Sequence, residues 1–238
     1  SLVSACLGYH VMAQAGLPAP RCNFARVSVN GADLGLYAHV DSIKKPFLPR
    51  HFSSDGGNLY EATISDFRPE FRRTWEKKTH LVEDDWSDLD AAVVALETPD
   101  DGLIEAASAV FDLDAFYTFW AAEVLIAHWD GYAGNRNNTY LYADPIDGLF
   151  RFIPWGVDSA FLDPQEAIGG AGDLPDAVLA FGHLANRLYA HPDGRAAYVG
   201  RMQTLLDTVW DAEALVAELD RMEELLTPHL AEEDRLPL

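Results

Sequence analysis

His128, Asp130, Asn135, Asn138 and Asp158 are the residues of this chain whose types and spacing could do chemistry. Asp130 stands two places after His128, and Asn135 stands five places after Asp130. A carboxylate and a carboxamide at that separation fit on one short loop. The carboxylate can face an acceptor hydroxyl and take its proton, while the amide oxygen turns to a hard divalent cation. A base beside a cation ligand suits phosphoryl transfer, where positioning and charge neutralisation supply nearly all of the catalysis. Alone the spacing is common: an Asn follows a given Asp at plus five by chance in roughly one case in twenty-five, from ordinary residue usage.

The residues that follow sharpen the signal. Residues 138–143 alternate as a strand, Asp144-Pro145-Ile146-Asp147-Gly148 reads as a turn, and residues 149–153 form a second strand. Pro154-Trp155-Gly156-Val157-Asp158 comes next. A hairpin thus carries the chain from Asp130 and Asn135 to a further acid, Asp158. The H-R-D-x-x-x-x-N loop of protein kinases has the same spacing of base and metal ligand. On this reading Asp130 is the base, Asn135 and Asp158 ligate Mg2+ or Mn2+, and Asn138 supports the loop or the nucleotide. The plainer alternatives are a loop-capping Asp130, turn asparagines at 135 and 138, and an Asp158 that caps the next segment. His128 is expected to be structural, because the reaction needs no second base.

Other elements must position these groups. Residues 112–127 read as a largely apolar helix, capped by Asp112 or Asp114, that delivers His128 and Asp130 to a loop. Residues 1–15 have helical periodicity with Leu2, Ala5, Cys6, Tyr9 and Ala13 on one side, and Gly16, Pro18 and Pro20 end it. Residues 24–29 and 34–40 flank Asn30-Gly31, a hairpin signature; Gly31 and Gly35 read as a plain turn in preference to a phosphate-covering flap. Residues 42–52 are a short helix or loop with a basic, solvated face. Residues 58–64 are a strand, and residues 74–80 pair with it. That second stretch brings Lys77 and Lys78, and Lys78 is the candidate for nucleotide phosphates. Residues 83–102 are acidic around a helix at 89–96; without calcium-loop spacing they read as solvated surface. Residues 163–176 are a Gly-, Pro- and Asp-rich loop, with a mobile segment over the site as the alternative. Residues 177–189, 195–209 and 212–230 are three helices. The whole is α+β, with a strand-rich first part (1–105) and a helical second part (106–238).

Bulk composition narrows the partners. The chain has 238 residues, enough to bury a sizeable core without staples. Its net charge of -21, from 38 acids against 17 Lys and Arg, disfavours a bare nucleic-acid or anionic-membrane binder and leaves room for a local basic or metal-filled pocket. An acidic protein must screen a nucleotide locally, and divalent metal is the obvious device. No apolar run reaches the roughly 18 residues of a membrane span, so no direct insertion is expected. Cys6 and Cys22 make no metal-ligand pattern, and two buried thiols are preferred over a disulfide. Because the first residues are already helix-like, the sequence reads as an excised piece of a longer protein. Oligomeric state is not legible.

Taken together, the motifs resemble the CotH-type kinases, a family named for spore coat protein H. The resemblance rests on Gly16-Leu17-Pro18-Ala19-Pro20-Arg21, Val29-Asn30-Gly31, Gly35-Leu36-Tyr37 and Gly57-Asn58-Leu59-Tyr60 in the first part. In the second part it rests on Asp130, Gly134-Asn135, Asn138, Tyr140-Leu141-Tyr142, Ile153-Pro154-Trp155 and Asp158. It implies an atypical, two-lobed kinase-like fold and ATP-dependent phosphorylation of protein Ser or Thr. It also implies an extracytoplasmic or cell-surface setting. Gly156 stands where the family usually has Asp, and Glu61 where it commonly has Lys. The strands that precede the family's first helix are missing here. Those departures keep two alternatives open, a pseudokinase or coat-type interaction module and a small-molecule phosphotransferase. The absence of Gly-x-Ser-x-Gly and His-Glu-x-x-His argues against a Ser-nucleophile or zinc hydrolase.

Overall fold

Alternation between residues 138 and 154 produces the hairpin it predicts. In the computed structural model, which describes residues 2–162 and 178–230, β5 (Thr139–Ala143) pairs antiparallel with β6 (Phe150–Pro154). The other edge of β5 takes β3 (Asn58–Glu61), with Glu61 opposite Tyr140, and β3 in turn takes the two-residue β4 (Glu76–Lys77). The sheet order is β4-β3-β5-β6, so strands from either side of residue 105 share one hydrogen-bonded sheet. A separate ribbon joins β1 (Cys22–Val29) to β2 (Ala32–Val40). Its turn residues Asn30 and Gly31 have φ of 52° and 83°, the left-handed pair that a two-residue hairpin turn requires.

Eight α-helices lie among the described residues. They are α1 (Leu2–Gln14), α2 (Ser87–Glu97), α3 (Asp100–Ser108), α4 (Leu113–Leu125), α5 (Tyr132–Asn135), α6 (His183–Ala190), α7 (Pro192–Thr208) and α8 (Ala212–Leu226). The fold is therefore mixed α+β, with helices filling most of residues 183–226. Helix α4 is the spine. Asp112 caps it, its Oδ1 accepting the Ala115 N–H at 3.1 Å. Phe116, Phe119, Trp120, Ala121 and Ala122 of α4 are buried against Phe67, Phe111, Tyr132 and Phe152 in the main core. The Trp120 indole stacks on Tyr198 at 4.0 Å between centroids, and its N–H donates to Leu179 O at 2.6 Å. Truncating a ring so enclosed costs about 3–5 kcal/mol.

Several expectations change. Helix α1 is buried nearly all round, although one apolar face was expected, because β1, β2, α8 and the segment after β6 all pack on it. The acidic stretch holds two helices, since Pro99 ends α2 and opens α3. Residues 42–52, expected as a short helix or loop, keep to that: a loop with one 3-10 turn at Leu48–Arg50. Helix α6 starts at His183, later than the apolar periodicity from 177 suggested. The preference for free thiols is overturned: Cys6 and Cys22 form a disulfide with Cα atoms 5.0 Å apart. Gly16 (φ 80°) and the prolines after it turn the chain back, so β1 starts beside the first turns of α1. The loop at 163–176 lies outside the described residues. Among the described residues, no helix is long and apolar enough to cross a membrane.

Candidate functional site

The end of α4 and the start of β5 enclose residues 126–138, a thirteen-residue segment wrapped around one carboxylate. Asp130 Oδ1 accepts the Asn135 Nδ2 amide at 2.7 Å, and Oδ2 accepts that of Asn138 at 2.6 Å. Asn137 Nδ2 stands 3.5 and 3.4 Å from the same two oxygens, a third donor that spacing alone did not single out. Three amides on one acid fix its orientation. They also hold Arg136 (φ 58°) and Asn138 (φ 43°) in the left-handed region, a conformation that costs roughly 1–2 kcal/mol for each non-glycine residue. The Ser65 N–H donates to Arg136 O at 2.7 Å and ties this loop to the segment after β3.

Two buried titratable groups support the loop from below. Glu123 on α4 is fully buried, and its two carboxylate oxygens accept the N–H groups of Tyr132 (3.0 Å) and Ala133 (2.9 Å) at the start of α5. Burial pushes its carboxyl up to about 8, with both hydrogen bonds opposing. His128 is also fully buried, and burial pulls its imidazole down to about 4 against the pull of Asp130 and Asp158. Neither ring nitrogen completes a hydrogen bond, although the backbone of Trp155 lies beside it. His128 is thus a neutral spacer between the two acids. Glu123 is a positioning group that sequence reasoning missed; an acid inside an apolar helix was the signal.

The second acid comes in over the hairpin. Val157–Ser159 is a 3-10 turn entered through Gly156, whose φ is 57°. A Cβ on Gly156 would sit 2.4 Å from Asn138 Oδ1. Asn138 therefore touches Asp130 with its nitrogen and the Gly156 backbone with its oxygen side, joining the two halves of the site. Gly156 N–H donates to the Tyr9 hydroxyl at 3.0 Å, and Ser4 Oγ donates to Asp158 O at 3.1 Å. Asp158 itself is exposed, and no cation of the described residues pairs with its carboxylate. Its charge acts on His128 and on Tyr9 alike. The structure thus joins Asp130, Asn135 and Asn138 by hydrogen bonds and sets the turn that carries Asp158 against Asn138.

Lys78 lies along the sheet from them. Its ammonium pairs with Glu61, and with Glu76 at 2.8 Å. Burial lowers its pKa, and the two acids more than restore it. Burial, with the charge of Glu61 beside it, raises the phenol pKa of Tyr140. Lys77 is turned inward, donating to Asp85 O with its ammonium 5.8 Å from the rings of Tyr60 and Trp86. The acidic stretch is structural: Asp88 accepts from Asn58 and Tyr60 at 2.8 Å each, and Asp90 pairs with Arg72.

Among the described residues no group of three His, Cys, Asp or Glu converges as a metal cage. What does fit is a hard cation that takes few protein ligands. With Asn135 Nδ2 facing Asp130, its Oδ1 is left to accept, and no cation among the described residues pairs with the Asp158 carboxylate. Mg2+ keeps several waters and takes one or two carboxylates plus phosphate oxygens, and this donor set suits it.

The family model described as "CotH kinase protein" matches residues 1–235. The inner spore coat protein H of Bacillus subtilis (strain 168) is 24% identical over 239 residues, covering 96% of this chain and 65% of that protein. Two Rhizopus delemar proteins, invasins CotH7 and CotH2, are 27% and 28% identical over 145 and 129 residues. Those alignments take in 58% and 51% of this chain but only 24% and 22% of the invasins. The chain thus spans under two thirds of each of these relatives. With the motif residues gathered around Asp130 and the match running almost end to end, the chain belongs to the CotH kinase protein family.

Proposed function

We propose that this site transfers a phosphoryl group from ATP to the hydroxyl of a protein Ser or Thr, with a divalent cation. The observation that carries the reading is Asp130, a half-buried carboxylate oriented by Asn135 and Asn138 and set beside the Gly156–Asp158 turn. In this reading Asp130 orients the acceptor hydroxyl and takes its proton. Asn135 and Asp158 hold Mg2+ or Mn2+, which when bound neutralises phosphate charge. Asn138 keeps the base and the metal turn at a fixed separation. Lys78 swings from Glu76 towards the phosphates and stays oriented by Glu61, in the way a lysine–glutamate pair serves phosphoryl transfer elsewhere. His128 stays neutral and excludes water.

The test is transfer of labelled phosphate from ATP, with Mg2+ or Mn2+, to casein-like acceptors and to the protein itself. Transfer that drops at least about 100-fold in Asp130→Ala and in Asp158→Ala supports the reading, since a positioned base or metal ligand contributes on that order. A second reading, an interaction module without transfer, is favoured by the same Lys78. Its charge is already met by two carboxylates, which a nucleotide must outcompete. ATP binding without transfer would select the module. Turnover of sugars or aminoglycosides with none on proteins would select a small-molecule phosphotransferase.

A further inference from the structure

Helix α1 touches the Gly156–Asp158 turn at three successive places on one face. Ser4 Oγ donates to Asp158 O at 3.1 Å, and the Tyr9 hydroxyl accepts the Gly156 N–H at 3.0 Å. Between them, a Cβ on Gly8 would stand 3.0 Å from Val157 Cγ2, so helix and turn are in direct contact. Tyr9 is buried, and burial drives its phenol pKa upward, so the hydroxyl stays protonated and neutral. Cys6 lies between Ser4 and Gly8 and is bonded to Cys22, the first residue of β1. A cleft of about 270 Å3, lined in part by Cys6, Cys22, His10 and Arg221, opens beside that bond, and Cys22 is only half-buried.

We propose that α1 is a brace for the Asp158 turn, with Tyr9 and Ser4 as its positioning residues, and that the Cys6–Cys22 bond makes the brace sensitive to thiol redox state. The metal-holding role of Asp158 rests on the phosphotransfer reading above; the brace itself does not. The switching step is thiol–disulfide exchange with a dithiol reductant. One reductant thiolate attacks the Cys22 sulfur and the S–S bond breaks. The second reductant thiol then resolves the mixed disulfide, leaving two protein thiols and an oxidised, cyclic reductant. Two electrons and two protons pass to the protein. The bond tethers α1 to the ribbon β1–β2, and its loss frees the helix turn between Ser4 and Gly8 to shift away from Val157. Stability of such contacts is local, and amide exchange reads it segment by segment.

The experiment is hydrogen–deuterium exchange on the full chain, oxidised and after dithiothreitol, with free thiols counted by alkylation. Tyr9→Phe and Cys6→Ser/Cys22→Ser are run alongside. Peptides over residues 156–158 should exchange roughly five- to tenfold faster in Tyr9→Phe and in the reduced protein, the effect of one lost hydrogen bond. Peptides over α7 should not change. The double serine variant should match reduced wild type and ignore dithiothreitol. Full reduction with unaltered exchange at 156–158 would overturn the proposal. So would an equal rise in every peptide, which would make the disulfide a general staple, or a silent Tyr9→Phe. Magnesium–ATP affinity, measured in both states, separates the two readings. Exchange that responds with no nucleotide bound in either state removes phosphotransfer and leaves the brace standing.

Discussion

Asn138 has its amide shared between Asp130 and the backbone of Gly156, and that sharing dictates what position 156 can be. Gly156 has a φ of 57°, where a side chain costs roughly 1–2 kcal/mol, and its missing Cβ is the space that Asn138 Oδ1 fills. Glycine at position 156 is therefore a steric accommodation of Asn138. Gly156→Ala should lower stability by about 2 kcal/mol or more and melting temperature by roughly 4–8 °C. In an Asn138→Ala background the same change should cost clearly less, because the overlap is gone. Thermal melts of the four proteins check this; equal penalties in both backgrounds would refute the coupling. Glu123 gives a pH prediction. Its folded pKa of about 8 lies above the ordinary 4.5, so its contribution is complete below pH 4.5 and is lost as pH rises through 8. His128 is depressed from 6.5 to about 4, so its contribution is present above pH 6.5 and lost as pH falls towards 4. The two oppose each other between pH 4.5 and 6.5, and only Glu123 titrates above that. Stability should fall by about 2 kcal/mol from pH 6.5 to 8, at about 1.4 kcal/mol per pH unit. Glu123→Gln should flatten that slope; an unchanged slope in the variant would show that another group sets it.

Helix α4 turns a one-dimensional pattern into placement of the loop. Its cap can be separated from its charge. Asp112 accepts the Ala115 N–H and also pairs with Arg151 at 3.2 Å in a partly exposed ion pair. Asp112→Ala should cost about 1 kcal/mol, whereas Asp112→Asn keeps the cap and should stay within about 0.5 kcal/mol of wild type in urea titrations. Equal losses would mean that the ion pair, not the cap, matters. Elements with local signals were legible: α4 from its apolar run, β5 and β6 from alternation and the turn between them, and β1–β2 from Asn30-Gly31. Elements made by packing were not. The near-complete burial of α1 depends on packing by β1, β2, α4, α8 and the turn after β6, and the Cys6–Cys22 contact depends on a chain reversal at Gly16 that periodicity does not measure. Within the site, the plus-five spacing gave the loop. Asn137 and Glu123 meet partners close in sequence but without a motif spacing to mark them, whereas Tyr9 was invisible because its partner Gly156 becomes a neighbour only once α1 has docked.

Charge is a property of the whole molecule, and here it works against the ligand proposed for the site. The chain carries a net charge of -21, and four acids (Asp130, Asp158, Glu61 and Glu76) stand around or along the proposed pocket. Lys78 is the basic group placed among them, and it already neutralises two of the four. A magnesium-bound nucleotide is still an anion, so protein and ligand repel each other at long range. Salt screens that repulsion, with a Debye length that shortens from roughly 20 Å at about 20 mM to roughly 7 Å at about 200 mM ionic strength. Nucleotide affinity at saturating magnesium should therefore rise with salt, by about twofold to fivefold over that range. A basic pocket would show the opposite sign. Calorimetric titration at the two salt concentrations measures it directly. An affinity that falls steeply would show that a local cationic patch dominates, and would move the search for phosphate ligands from Lys78 to Arg136 within the loop.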